Sequence, residues 1–242
     1  QYFRYYDVDL ATSITLSGQL SIRFIADKLN EFLNNNLGTE DYDFVVASDT
    51  DSVYLRLGPL VEKYCSDKSK EETVNFLDKA ANEILLPYIE KQYSKLAEVT
   101  NAYENKMVME RECIADKAIW TAKKRYIMNV YDSEGVRYVK PKMKIMGIET
   151  TRSSTPQVVR DKLKTAISMI MTGTEDELIE FVSNFRHEFM SLPVESVAFP
   201  RSCNNMEKYR DGSSIWKKST PIAVKGALVY NHFIKDWELD SK

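Results

Sequence analysis

Ser48-Asp49-Thr50-Asp51-Ser52 sets two carboxylates two residues apart, between the apolar runs Phe44-Val45-Val46-Ala47 and Val53-Tyr54-Leu55. Two short β-prone runs around a polar pentapeptide predict an antiparallel hairpin over roughly 43–57. In an extended chain, residues i and i+2 share a face, which predicts Asp49 and Asp51 together and Thr50 opposite. Such a pair is electrostatically costly, because like charges raise each other's pKa. Divalent cations relieve the cost, and Mg²⁺ takes one or two carboxylates completed by phosphate oxygens and water. Spacing alone leaves an ordinary surface turn open. The apolar flanks favour an acidic pair mounted on a sheet.

The hairpin fits an α+β chain. Leu20, Phe24, Ile25, Leu29, Phe32 and Leu33 recur at helical spacing and predict a helix over about 9–35, closed by Asn34-Asn35-Asn36-Leu37-Gly38. A second long helix is predicted over about 70–99, with a kink at Pro87. From 105 to 139 the period falls to two. Met107 to Ile114 reads as a strand, and Arg125–Val130 with Val136–Val139 as a hairpin turning at Asp132-Ser133-Glu134-Gly135. Past Gly147 the character is helical. Thr155-Pro156 predicts a hydroxyl cap with proline at the first helical position, Thr174 to Glu177 forms a capping box, and Pro221 opens a further helix. The prediction is an antiparallel sheet with packed helices over 1–145, followed by a mainly helical domain over 146–242.

Composition removes several function classes. Cys65, Cys113 and Cys203 lie far apart with no CxxC pair, which argues against a disulfide framework or a zinc site. His187 and His232 stand alone, which leaves no Ser/His/Asp or Cys/His arrangement. No apolar run approaches the roughly 20 residues that span a bilayer, so no membrane partner is expected. Trp120, Trp216 and Trp237 read as core or interface residues. Gln1 at the start predicts a piece of something longer.

The net charge of −3 conceals a strong partition. Between Lys117 and Lys164 there are 12 Lys/Arg against 4 Asp/Glu, a local charge of +8 that leaves −11 for the rest. A basic block inside an acidic protein is an electrostatic footprint for a polyanion, although a solvated lysine-rich face has the same composition. Within it, Lys123-Lys124-Arg125-Tyr126 reads as a strand start, with Lys124 and Tyr126 on one face and Lys123 and Arg125 on the other. Lys140, Lys142, Lys144 and Gly147 follow, then Ser153-Ser154-Thr155 at a helix N-terminus, where hydroxyls and backbone amides suit an anion. Glu110 and Glu112 share one face of the predicted strand, as a third carboxylate for a cation site or as plain solvent-facing alternation.

Taken in order, these residues resemble the C-terminal part of a family B DNA polymerase, in the manner of the replicative enzymes of T-even-like bacteriophages. The likeness runs through Phe3-Arg4-Tyr5-Tyr6-Asp7, Ala11 to Thr15, Gly18-Gln19, Asp49-Thr50-Asp51-Ser52-Val53-Tyr54, Met109 to Glu112, Lys123 to Tyr126, Lys144 to Thr150 and Ser153 to Pro156. Ser48 stands where the family usually has glycine, and the resemblance makes Ala115 to Trp120 a connection, shorter than the family's glycine-rich loop. The resemblance implies a palm portion over 1–145 and a partial thumb over 146–242. It implies template-directed nucleotidyl transfer to a primer 3′ hydroxyl at a two-Mg²⁺ site, with primer–template DNA and deoxynucleotides as partners. Asp51 would bridge both cations, Asp49 would shape the site and Glu112 would be the neighbouring acid. Lys123, Lys124, Arg125 and Tyr126 would meet the primer–template, and Lys144, Gly147, Ser153, Ser154 and Thr155 would grip the duplex. The remaining catalytic aspartate, the fingers and the exonuclease would lie in an upstream polymerase portion, in a phage-encoded enzyme working in the bacterial cytoplasm. The chain alone would be inactive. A non-catalytic DNA-binding subunit of a split polymerase, active only with its upstream half, is the alternative, and a metal nuclease using Asp49, Asp51 and Glu112 a weaker one.

Overall fold

The computed structural model describes residues 4, 6–210, 212 and 214–234. Phe3, Tyr5 and Trp237 lie outside the described residues. The chain divides into two compact units, 1–144 and 145–242.

In the first unit, helix α1 (Val8–Leu37) starts where the Asp7 carboxylate accepts the Leu10 amide at 3.0 Å. It stops at Gly38, whose φ of 71° suits a residue without a Cβ and whose amide returns to the Asn34 carbonyl. Ile25, Leu29 and Leu33 fall one turn apart and are buried. With Phe44, Leu85, Ile89 and Tyr93 they form the core of this unit. The hairpin strands β1 (Val45–Asp49) and β2 (Ser52–Leu55) root in that core through Phe44 and are antiparallel.

Helices α2 (Gly58–Cys65) and α3 (Lys70–Ala80) follow, α3 opening on a Ser69–Glu72 capping box. A π-turn over Ala81–Leu85 then leads into α4 (Leu86–Val99). The kink expected at Pro87 takes this form. Proline has no amide to donate to Glu83, and its ring crowds that carbonyl, so the ladder steps to i→i+5 spacing just before it. The Leu86 amide accordingly donates to Ala81.

A three-stranded antiparallel order β3–β4–β5 completes the unit, from β3 (Cys113–Ala122), β4 (Arg125–Ser133) and β5 (Val136–Met146), the last of which runs across the unit boundary. This corrects two expectations. Met107 to Glu112 is not a strand, and Ala115 to Trp120 is strand rather than connection. Val108 is 81% exposed, whereas Met109 packs on the first core and Arg111 turns into an ionic network, so side-chain anchors and not a ladder hold this segment. Ala115-Asp116-Lys117-Ala118 has weak β propensity but pairs along β4, whose residues from Tyr126 to Val130 are all buried; tertiary pairing overrides local preference.

The second unit holds a 3₁₀ turn (Glu149–Thr151) and helices α5 (Gln157–Thr172), α6 (Glu175–Ser191), α7 (Val194–Val197) and α8 (Ile222–Phe233). The Thr174–Glu177 capping box forms as the sequence predicts. Pro156, however, is the cap residue itself and not the first helical position, and Pro221 opens its helix as expected, also from the cap. Their ψ values of 144° and 145° are extended, and their carbonyls accept the first helical amides, from Arg160 and Lys225 at 3.0 Å. Among its described residues, Ile148, Ile167, Met171, Val224 and Leu228 are buried and apolar. Among the described residues no helix is long and apolar enough to cross a membrane.

Candidate active site

Asp49 and Asp51 sit at the tip of the β1–β2 hairpin, but not as alternate residues of one strand. Asp49 pairs with Ser52, which leaves Thr50 and Asp51 as the turn. Thr50 has φ of 50°, and the Asp51 amide donates back to the Asp49 carbonyl at 2.6 Å. The Ser52 hydroxyl donates to the same carbonyl at 3.1 Å, and the Thr50 hydroxyl donates to the Asp49 carboxylate at 3.1 Å. Both carboxylates are open to solvent, the Asp49 side chain 37% exposed. Ser48 pairs with Val53 inside β1, so serine here leaves the hairpin whole.

The hairpin's root is fixed by a residue that sequence patterns did not flag. The Asn30 amide oxygen accepts the Phe44 and Val45 amides at 2.9 and 3.0 Å. Asn34 likewise brackets Tyr42, donating to its carbonyl and accepting its amide. Both asparagines lie on α1, so that helix holds the acidic hairpin by its strand entry. Helical spacing put Asn30 one residue from a core leucine, which was the only available signal.

A second hairpin tip meets the first. In the β3–β4 hairpin Ala122 pairs with Arg125, and Lys123-Lys124 form the turn, with Lys124 at φ 61°. The predicted strand alternation of Lys124 with Tyr126 is thereby corrected: Lys124 is a turn residue. Its ammonium stands 3.8 Å from the Asp49 carboxylate. Tyr54 of β2 carries the contact between the hairpins, its ring 5.2 Å from Trp120 and 5.7 Å from Tyr126 between centroids. Trp120 and Tyr126 face each other across β3 and β4. Rigid aromatic packing of this kind fixes the distance between the two tips.

Burial, and then a hydrogen bond shared with Tyr54, push the Tyr126 phenol well above its ordinary 10.0. A raised folded pKa gives stability that is full below the unfolded value and fades as pH climbs towards the folded one. Tyr126→Phe is expected to flatten the loss of stability above about pH 10, read as urea midpoints at about pH 8 and pH 10.5. An unchanged difference between the two midpoints would contradict this.

Glu112 does not join the acidic pair. It forms a close ion pair with Lys144 of β5. Burial works against the Lys144 charge, but the Glu112 hydrogen bond and attraction outweigh it and raise the ammonium's pKa. Glu110 is exposed in the irregular segment. Among the described residues no three Asp, Glu, His or Cys side chains gather where they could hold a metal ion. Asp49 and Asp51 still offer what a hard cation takes, two exposed carboxylates on a braced turn beside a neutralising charge. They are a partial donor set.

Lys123 is exposed in the turn and Arg125 is half-buried at the start of β4. Gly147, Ser153, Ser154 and Thr155 belong to the second unit. Gly147 has φ of 67°, a conformation that favours glycine. Ser153 is exposed, Ser154 half-buried and Thr155 buried, and the N-terminus of α5 has no side-chain cap.

Residues 39–183, which take in both hairpins and more than half of the chain, match the sequence pattern of the divergent family B DNA polymerases. The chain belongs to that family. It is 38% identical over 244 residues to the DNA-directed DNA polymerase of Enterobacteria phage T4, covering 96% of this chain, and 40% identical to that of Escherichia phage RB69, covering 97%. In each case the alignment takes in 27% of the relative, so this family B chain spans about a quarter of the length of those polymerases.

One further constellation of this family B chain escaped the sequence. Asp132 of β4 is fully buried and pairs with Arg111 and, at 3.1 Å, with Arg137. Asp78 of α3 holds the same two guanidiniums at 2.8 Å each. This network ties α3, the 107–112 segment, β4 and β5 together. It fixes Arg111 inward and thus Glu112 outward, towards Lys144.

Proposed function

We propose that this chain supplies the palm's acidic hairpin and part of the primer–template grip of a template-directed DNA polymerase. It would correspond to part of the palm over 1–145 and part of the thumb over 146–242. The observation that carries the reading is the meeting of two hairpin tips, one acidic (Asp49, Asp51) and one basic (Lys123, Lys124), in a chain whose relatives are named DNA polymerases. Asp51 and Asp49 would hold Mg²⁺. The bound cation would supply charge neutralisation for in-line attack of a primer 3′ hydroxyl on a deoxynucleotide. Lys123, Lys124 and Arg125 would track phosphates, and Tyr126 would brace the turn beside the duplex. Lys144, Gly147, Ser153, Ser154 and Thr155 would extend the grip along the backbone. Thr155 would act there through its backbone, since its side chain is buried. Glu112 would orient Lys144 instead of completing the cation's shell. The work would take place in the cytoplasm of a phage-infected bacterium.

Two carboxylates are a partial donor set and the chain spans a quarter of its relatives, so the chain alone is inactive in this reading. The test is primer extension with Mg²⁺, using this chain alone and then mixed with the polypeptide corresponding to the rest of a relative. Extension only in the mixture supports the reading, and extension by rigorously purified chain alone overturns the inactivity. Silence in both, with duplex binding intact, would leave a DNA-gripping fragment whose carboxylates are vestigial or misassembled outside the full chain. Binding itself makes a second prediction. If the basic block engages about five phosphates, log affinity should fall against log salt with a slope of about −4.5. A slope shallower than about −2 would remove the DNA track.

A further inference from the structure

The contact between Lys124 and Asp49 joins the two groups that the proposed function assigns to different ligands. Asp49 is assigned to the cation and Lys124 to DNA, yet here they face each other at 3.8 Å. Both tips hold a non-glycine residue in the left-handed region, Thr50 at 50° and Lys124 at 61°. Such strain persists where surrounding structure over-determines it. The bracing is visible: Asn30 at the root of one hairpin, Tyr54 against Trp120 and Tyr126 between them. The tips are therefore held at a set separation, while the Lys124 side chain, 65% exposed on a flexible stem, is free to turn.

We propose that Lys124 is an internal counter-ion that occupies Asp49 in the absence of a divalent cation and turns to the DNA backbone when the cation binds there. This rests on the reading of Asp49 as a cation ligand. Two consequences follow from the shared group. Lys124 competes with the cation for Asp49 in the DNA-free chain, and DNA, by drawing Lys124 away, removes the competitor. Coupling of this kind is reciprocal, so the cation should tighten DNA binding through Lys124 by the factor that DNA tightens the cation. The pair is solvent-exposed, so its competitive effect is modest, on the order of 5-fold in affinity.

The test is Mn²⁺ affinity of the full chain, by electron paramagnetic resonance of free Mn²⁺, for the wild type, Lys124→Gln, Lys124→Arg and Lys123→Gln. Lys124→Gln is expected to tighten Mn²⁺ by about 5-fold without DNA. Lys124→Arg should stay near the wild type, and Lys123→Gln, which loses the same charge one residue away, should change far less. Adding a primer–template duplex should close the gap between the wild type and Lys124→Gln. Equal or weaker Mn²⁺ binding by Lys124→Gln, or an equal gain from Lys123→Gln, overturns the proposal. Asp49→Asn separates this from the underlying reading. If Asp49→Asn weakens Mn²⁺ while Lys124→Gln does not tighten it, only the counter-ion role falls. If Mn²⁺ binding is absent or indifferent to Asp49→Asn, the cation reading falls and takes the counter-ion with it.

Discussion

Asp132→Ala is expected to destabilise the first unit by about 3–5 kcal/mol. The carboxylate is wholly excluded from solvent, with two guanidiniums against it and the Gly135 amide donating to it at 3.1 Å. Removing it leaves Arg111, whose side chain is 12% exposed, with Asp78 as its remaining carboxylate partner among the ion pairs described. The cost is mainly that of stranding a charge taken out of water, and a buried pair broken on one side is penalised far more than an exposed one. Urea unfolding followed by far-UV circular dichroism reads the effect as a lower midpoint. Glu31→Ala is the contrasting control, since the Lys28–Glu31 pair is exposed on one helix face and should hardly move the midpoint. A loss below about 1 kcal/mol for Asp132→Ala would mean that Asp78 alone satisfies both arginines. The network would then be a positioning device for the Arg111–Glu112 segment with little bearing on stability.

That network marks the boundary of what could be read from the sequence. Asp132 was legible only as a turn residue, because Asp132-Ser133-Glu134-Gly135 is good turn chemistry, and turn chemistry says nothing of a carboxylate's distant partners. Its partners come from α3, from an irregular segment and from β5, which no local pattern connects. By contrast, α1, the acidic hairpin and the Thr174 capping box were legible because each is a local rule: helical spacing, a polar tip between apolar runs, a hydroxyl three residues before a glutamate. The failures share a cause. Met107 to Glu112 alternates in polarity without a partner strand, and Ala115 to Ala118 lacks β propensity but is given a partner by β4. Lys123-Lys124 carried no turn signal, because lysine is an uncommon occupant of the left-handed region that Lys124 adopts. For the site, the sequence placed the acidic pair on a hairpin and the basic cluster nearby in function. Only the tertiary contact through Tyr54 put Lys124 against Asp49, and only the pairing with Lys144 took Glu112 out of the acidic group.

Asp51→Asn is expected to reduce primer extension by at least about 10³-fold in the complemented mixture, with duplex affinity and the unfolding midpoint close to the wild type. The substitution keeps the side chain's shape and its tolerance of turn geometry, so the hairpin has no reason to change. The carboxylate is exposed, so no buried partner is stranded by its loss. What disappears is the negative charge at the tip that a divalent cation would need, and charge placed for a transition state is felt in rate far more than in binding. Asp49→Asn should behave differently. It also removes a ligand, but it releases Lys124, so DNA binding in the absence of divalent ions should strengthen while extension falls. Retention of more than about a tenth of the activity by Asp51→Asn would place the essential carboxylates elsewhere in the assembled enzyme. A loss of activity in step with a loss of duplex binding would make Asp51 a structural residue of the DNA grip. Loss of rate alone is the outcome that assigns it to the chemistry.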